Sequence, residues 1–178
     1  MKKVLVYLLF LLSGCSTTVD TIKKDIDKIE PSNKDDKGYL LLGLNSNRNL
    51  KSLYIDGPKD IEVTQKDLQI YDDYIFLDLP EGEYRISKIR FSRYVRSDID
   101  EESYWSFSVK ANEINYVGDL NIKSFFFSSN YTIELINNSS LALEFLEQSY
   151  PSILSKRAIT FGGPGKDLFL NKWSKKEL

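Results

Sequence analysis

The sequence predicts an all-β fold, an antiparallel β-sandwich with one helix near its C-terminus, and three observations carry that expectation. From residue 38 onward, short runs rich in Tyr, Ile, Leu, Phe and Val alternate with Gly, Pro, Asn and Asp, the punctuation of strands and turns. Two turns are written out plainly, at Asp56-Gly57-Pro58 and at Leu79-Pro80-Glu81-Gly82-Glu83. Only one stretch, 139–149, carries a convincing helical stripe, and no repeat of solenoid length interrupts the pattern.

Taken in order, the expected strands are 39–44, 52–55, 61–64, 74–79, 83–94, 103–110, 116–122, 125–136 and 158–161. The Asp56-Gly57-Pro58 run reverses the chain after the second of these. At 79–83, Pro80 presets one turn position and Gly82 can supply the left-handed residue of a three-residue hairpin with a bulge. Between Tyr84 and Phe91 the apolar positions change phase, from Tyr84 and Ile86 to Ile89 and Phe91, which predicts a bulge or bend. In the helix, Leu141, Ala142, Phe145, Leu146 and Tyr150 form the expected apolar face, Asn138 or Ser139 is positioned to cap the start, and Pro151 to end it.

The segment before this domain is of a different kind. Lys2 and Lys3 precede an apolar run from Val4 to Leu12, followed by Ser13 and Gly14, which is the layout of a secretory signal peptide over 1–14. The apolar run has about half the roughly 20 residues a membrane-spanning helix needs. The run Leu12-Ser13-Gly14-Cys15 resembles the lipobox of bacterial lipoproteins. That resemblance implies signal-peptidase recognition through Leu12, Ser13 and Gly14, diacylglycerol on the Cys15 thiol, and cleavage before Cys15. A thiolate is the right nucleophile for this transfer, and two or three acyl chains hold durably where one holds marginally. Ser16 stands where the family's inner-membrane retention signal places Asp, which directs the expectation to the outer membrane, facing the periplasm.

Residues 15–37 are rich in Lys, Asp, Ser and Thr and suit a flexible tether. Val19, Ile22, Ile26 and Ile29 offer at most a short helix there, marginal by itself. The sandwich domain is expected over 38–178, a size at which one domain buries a sizeable core.

Composition narrows the chemistry. The chain has no His and one Cys, so histidine triads, His-ligated zinc and imidazole proton shuttles are excluded within this subunit. With Cys15 committed to lipid, thiol catalysis and disulfides go as well. The net charge of −2, more acidic still without Lys2 and Lys3, gives no basic field for nucleic acid.

Two stretches in the β region, Ser52-Leu53-Tyr54-Ile55-Asp56-Gly57 and Ile75-Phe76-Leu77-Asp78-Leu79-Pro80-Glu81-Gly82-Glu83-Tyr84-Arg85-Ile86, resemble paired signatures of PEGA and carboxypeptidase-regulatory-like β-sandwiches of envelope lipoproteins. The resemblance implies a strand ending at an Asp-Gly turn, then a Leu-Pro-x-Gly-x-Tyr hairpin whose Tyr84 enters the core. Val109 to Asp119 fits the next hairpin, with Asn112 in place of the usual Gly. It implies fold, not function.

Candidate sites remain. Asp98, Asp100, Glu101 and Glu102 offer oxygen ligands to calcium, but Ser103 and Val109 stand where an EF-hand needs Gly and Glu, so a solvated loop is the expectation. Gly162-Gly163-Pro164-Gly165-Lys166 lacks the first Gly and final Ser or Thr of a phosphate loop and reads as a flexible turn. Tyr104, Trp105, Phe125, Phe126, Phe127 and Trp173 are the candidates for contact with a ligand or partner, because aromatics stack on sugars and fill apolar grooves. No Ser precedes a Lys by three residues, so the SxxK motif of penicillin-binding proteins is missing.

The expectation is therefore a lipid-anchored binding or scaffold module of the envelope, without catalytic activity or cofactor. Its partners would be the membrane, through Cys15, and an envelope protein or glycan. A carbohydrate- or peptidoglycan-binding module using the aromatics is the alternative, and a carboxylate-dependent envelope enzyme the second.

Overall fold

Three apolar runs, Leu40–Leu42, Ile75–Leu77 and Tyr116–Val117, lose all water on both faces, so the strands that hold them must form the middle layer of the molecule. The computed structural model describes residues 36–68, 73–100, 103–124 and 130–173. The expectations for the signal segment, Cys15, the tether, Glu101, Glu102 and Phe125 to Phe127 lie outside these residues.

The strands are β1 (Lys37–Ser46), β2 (Ser52–Asp56), β3 (Ile61–Thr64), β4 (Tyr74–Pro80), β5 (Gly82–Arg90), β6 (Arg96–Asp98), β7 (Ser106–Val109), β8 (Ile114–Ser124), β9 (Tyr131–Ile136) and β10 (Ile159–Phe161). Helices α1 (Gln65–Leu68), α2 (Ser139–Ser149), α3 (Pro151–Leu154) and α4 (Leu168–Trp173) are short, apart from α2. One sheet runs β10-β8-β1-β4, with β9 also on β8; the other runs β3-β2-β5-β6, with β7 also on β5. The fold is the all-β sandwich that the strand pattern predicts, with helices added on one outer face.

The second sheet is antiparallel throughout, as expected. The first is mixed: β1 pairs β4 and β8 pairs β9 antiparallel, but β1 pairs β8 and β8 pairs β10 in parallel. The cause is a crossover. Strand β9 carries the chain back along β8, and α2 and α3 then lead it across the outer face, so β10 enters beside β8 from the same end as β8.

Strand alternation divides the first sheet between two cores. Leu40, Leu42, Ile75, Leu77, Val117, Leu120 and Ile122 face the second sheet. Tyr39, Leu41, Tyr74, Phe76, Ile114 and Tyr116 face the helices, where Ala142, Leu143, Leu146, Tyr150, Ile153 and Leu170 cover them. Phe76 sits 5.2 Å from Tyr39 and 4.6 Å from Tyr150 between ring centroids, a close aromatic stack under α2.

Several local expectations change. The run 79–83 is a corner, not a hairpin, because β4 and β5 belong to different sheets. Gly82 takes φ +151°, and a Cβ there would lie 2.4 Å from Pro58. Tyr84 does enter the core, 1% exposed, and its hydroxyl donates to the Pro80 carbonyl at 2.9 Å. The segment 109–119 is likewise a crossing between sheets. Asn112 adopts the left-handed turn at φ 61°, and buried Asn115 ties the corner by accepting from Lys110 N–H at 3.0 Å and donating to the Lys110 carbonyl at 3.1 Å. The phase change in β5 is a bulge at Ser87, since Tyr54 pairs Lys88 while Ile55 pairs Ile86.

Strand β5 stops at Arg90 rather than at residue 94, and β6 forms at Arg96–Asp98, where a loop was expected. Residues Ser103–Trp105 make a 3-10 turn before β7. The helix α2 is rotated relative to the expected stripe. Leu143 is buried and Leu141 exposed, so the buried face is Ser139, Ala142, Leu143 and Leu146. Neither Asn138 nor Ser139 caps it by a side chain; instead the Asn137 side-chain oxygen accepts from Ser139 N–H at 3.1 Å. Pro151 opens α3 immediately after α2 ends.

Candidate functional site

A bulge decides what faces the groove beside α2. In β8 an extra residue is accommodated at Val117-Gly118, because Leu41 pairs Tyr116 while Gly43 pairs Asp119. Gly118 takes φ +114°, which L side chains rarely adopt. Strict alternation would send Asp119 into the core between the sheets; the bulge turns it to the helix side and keeps Leu120 inside. Gly43 on the neighbouring strand makes the room, since a Cβ there would fall within 1.9 Å of the Asp119 carboxylate.

The carboxylate is held at both oxygens. The Tyr116 hydroxyl donates to one at 2.8 Å and the Asn138 side-chain amide to the other at 2.7 Å. Asn138 N–H in turn donates to the Tyr116 hydroxyl at 2.9 Å, so β8 is latched to the start of α2. Burial pushes the Asp119 pKa up, and these hydrogen bonds oppose it without cancelling it. Burial raises the pKa of Tyr116 and Tyr74 as well, with the Asp119 charge adding to both.

Around this latch lies an open groove of about 620 Å³, lined among others by Asn45, Asp73, Tyr74, Asn138, Glu144 and Gln148. Three carboxylates reach it, from Asp73, Asp119 and Glu144, with the Tyr74 and Phe145 rings stacked 4.6 Å apart at its wall. Its charged groups are all hydrogen-bond acceptors, so it is suited to a donor-rich, cationic group. Among the described residues no three His, Cys, Asp or Glu stand close enough to hold a metal ion.

The expected site residues are distributed elsewhere. Tyr104 and Trp105 meet edge to face at 5.0 Å, and Trp105 packs on the core between the sheets. The Tyr104 hydroxyl donates to the Leu135 carbonyl at 2.7 Å and accepts from Leu135 N–H at 3.0 Å, doing for the outer edge of β9 what another strand would do. Trp173 packs on the other core, against the helices. The structure thus joins Tyr104 to Trp105 and sets Trp173 apart from both. Asp98 lies in β6 and pairs with Arg96 at 3.2 Å; Asp100 follows it in the loop.

The start of the glycine-rich run is a structural stitch, and Gly165 beyond it turns at φ +94°. Gly162 N–H donates to the Tyr116 carbonyl of β8 at 2.8 Å, and the Gly162 carbonyl accepts from Ser108 N–H of β7 at 3.3 Å. A Cβ on Gly163 would lie 2.2 Å from the Val117 carbonyl oxygen, so these glycines serve close backbone approach.

The groove residues themselves escape sequence reasoning, because Asp73, Asp119 and Glu144 come from three distant segments. One local signal was available: Gly118 inside a strand pattern, followed at once by Asp119, marks a bulge with a polar residue at it. Among the described residues no helix is long and apolar enough to cross a membrane. No family model, curated protein or solved structure matches this chain.

Proposed function

We propose that the chain is a lipid-anchored envelope lipoprotein, held through Cys15 on the outer membrane facing the periplasm, whose sandwich domain binds or scaffolds an envelope partner without catalysing a reaction. The observation that carries this reading is the run Leu12-Ser13-Gly14-Cys15 behind a short apolar segment, in a chain without His or a second Cys. Tethering raises the effective concentration of the domain at the membrane, so a weak contact suffices. The groove beside α2 supports the binding half of the reading: its carboxylates favour a Lys- or Arg-bearing segment of a partner protein.

Changing Cys15 to Ala is expected to abolish labelling by radioactive palmitate and to release the protein from membranes. A variant still labelled would sink the anchor. In-cell crosslinking is expected to capture an envelope protein, and Asp73→Asn with Glu144→Gln to lose it; capture of glycan strands instead would favour the aromatic-based carbohydrate module.

A carboxylate-dependent enzyme is the second reading, favoured by one observation: Asp119 is a half-buried carboxylate of raised pKa at the wall of an open groove. Against it, both Asp119 oxygens already accept from protein donors, which describes a latch. Turnover of any envelope glycan or peptide that disappears in Asp119→Asn, with the fold intact, would establish it.

A further inference from the structure

We infer that α4 is a second membrane contact, a small interfacial face that seats on anionic phospholipid. It goes beyond the anchor and rests on that reading only in that acylation brings the bilayer within reach.

Two consecutive large apolar side chains stand out on α4, Leu168 at 71% exposure and Phe169 at 45%. The helix does not need them for its own packing. Leu170 is its buried residue, 2% exposed, and Trp173 packs partly on the same core. Helical spacing puts Leu168 on one face with Lys172, and Phe169 on one face with Trp173. Isolated exposed apolar residues are ordinary, but an adjacent Leu and Phe beside a half-buried Trp and exposed lysines have the composition of an interfacial helix.

Charge selects the occupant. The whole chain carries a net −2, yet the lysines that flank this pair in the sequence are Lys166 and Lys172. The acid between them, Asp167, is only 4% exposed and is turned inward, accepting from the Asn137 side-chain amide at 2.9 Å and from Leu170 N–H at 2.7 Å. Lys166 and Lys172 are exposed on either side of the apolar pair. A lysine can lay its methylenes along the apolar pair and keep its ammonium at the headgroups. Each lysine at an anionic surface strengthens partition roughly fivefold. Two exposed lysines flanking an apolar pair are complementary to a layer of negative headgroups over hydrocarbon.

The test reconstitutes the full acylated protein in vesicles of phosphatidylethanolamine and phosphatidylglycerol with brominated acyl chains. Trp105→Phe leaves Trp173 as the sole tryptophan, and Trp173→Phe supplies the background. Trp173 emission is expected to be quenched in these vesicles, several-fold less in brominated phosphatidylcholine or at high salt, and not at all in the Leu168→Ser, Phe169→Ser double variant. If Trp105→Phe does not fold, the difference between the unaltered protein and Trp173→Phe gives the same reading. Quenching no greater than in detergent overturns the proposal and transfers the basic face to an acidic protein partner; equal quenching in the double variant overturns it too. Failure of the anchor shows separately, as a chain without palmitate label, and that chain is then mixed with the same vesicles and read for Trp173 quenching in the same way.

Discussion

The two sheets use the same strand chemistry under opposite conditions. In the first, β1, β4 and β8 are covered by the second sheet on one side and by helices on the other, and their central residues are dry on both faces. In the second, only one face is covered. There β5 alternates buried Tyr84, Ile86 and Ile89 with Arg85, Lys88 and Arg90, which face outward. Across that outer face Tyr54 donates to Glu62 at 2.6 Å, accepts from Arg90 at 3.2 Å, and carries the Lys88 ammonium 5.0 Å over its ring. A polar group on the outer face of the second sheet has water as a fallback. In the first, Tyr116, Asp119 and Asn138 satisfy one another where the sheet meets α2, while Asn121 Oδ1 in β8 is buried with no hydrogen-bond partner among the described residues.

The sharpest break in that comparison is Phe76→Ala. It empties a fully buried site between β4 and α2, with an expected loss of about 3–5 kcal/mol in denaturant unfolding. If the loss stayed under about 1 kcal/mol, the helix layer would not be an integral part of the core. Next comes Gly43→Ala, whose new methyl must displace the Asp119 carboxylate; overpacking of this kind is expected to cost about 1–3 kcal/mol. Combined with Asp119→Gly the penalty should fall, and a double-mutant cycle measures the coupling.

Asp119→Asn sharpens the comparison through pH. A folded pKa above the unfolded 3.8 means that the native state holds the proton more tightly, so the contribution of this group to stability is fully present below 3.8 and is lost as pH rises through the raised value. The Asn variant should remove that declining limb, which urea midpoints measured from pH 3 upward will show; an unchanged profile would mean that Asp119 does not titrate abnormally. The smallest effect belongs to the outer face of the second sheet. Tyr54→Phe should shift stability by no more than about 0.5 kcal/mol, because water replaces its bonds.

What could be read from the sequence divides along the same line. Strands are legible because turn residues punctuate them, and the double burial of the first sheet shows as continuous apolar runs such as Leu40-Leu41-Leu42. Sheet membership is not legible. The Leu79–Glu83 turn has the residues of a hairpin, but Pro80 and Gly82 here steer the chain from one sheet to the other, with the Gly82 surface closed by Pro58 from a distant turn. Asn138 has the chemistry of a cap, yet its amide is claimed by Asp119 from β8, a partner that adjacency cannot reveal. The groove was invisible for the same reason, since Asp73, Asp119 and Glu144 meet only through topology.

The position of β1 has a mechanical consequence. The chain from residue 1 leads into its Lys37 end, and β1 is an interior strand, hydrogen-bonded to β4 along one side and to β8 along the other. A pull on the N-terminal segment therefore runs along a strand whose hydrogen bonds lie across the force. Two ladders must yield together in shear, whereas an edge strand would peel one bond at a time. Resistance to such a load is set by the unfolding rate, not by equilibrium stability. A domain loaded from this end would keep its shape under tension.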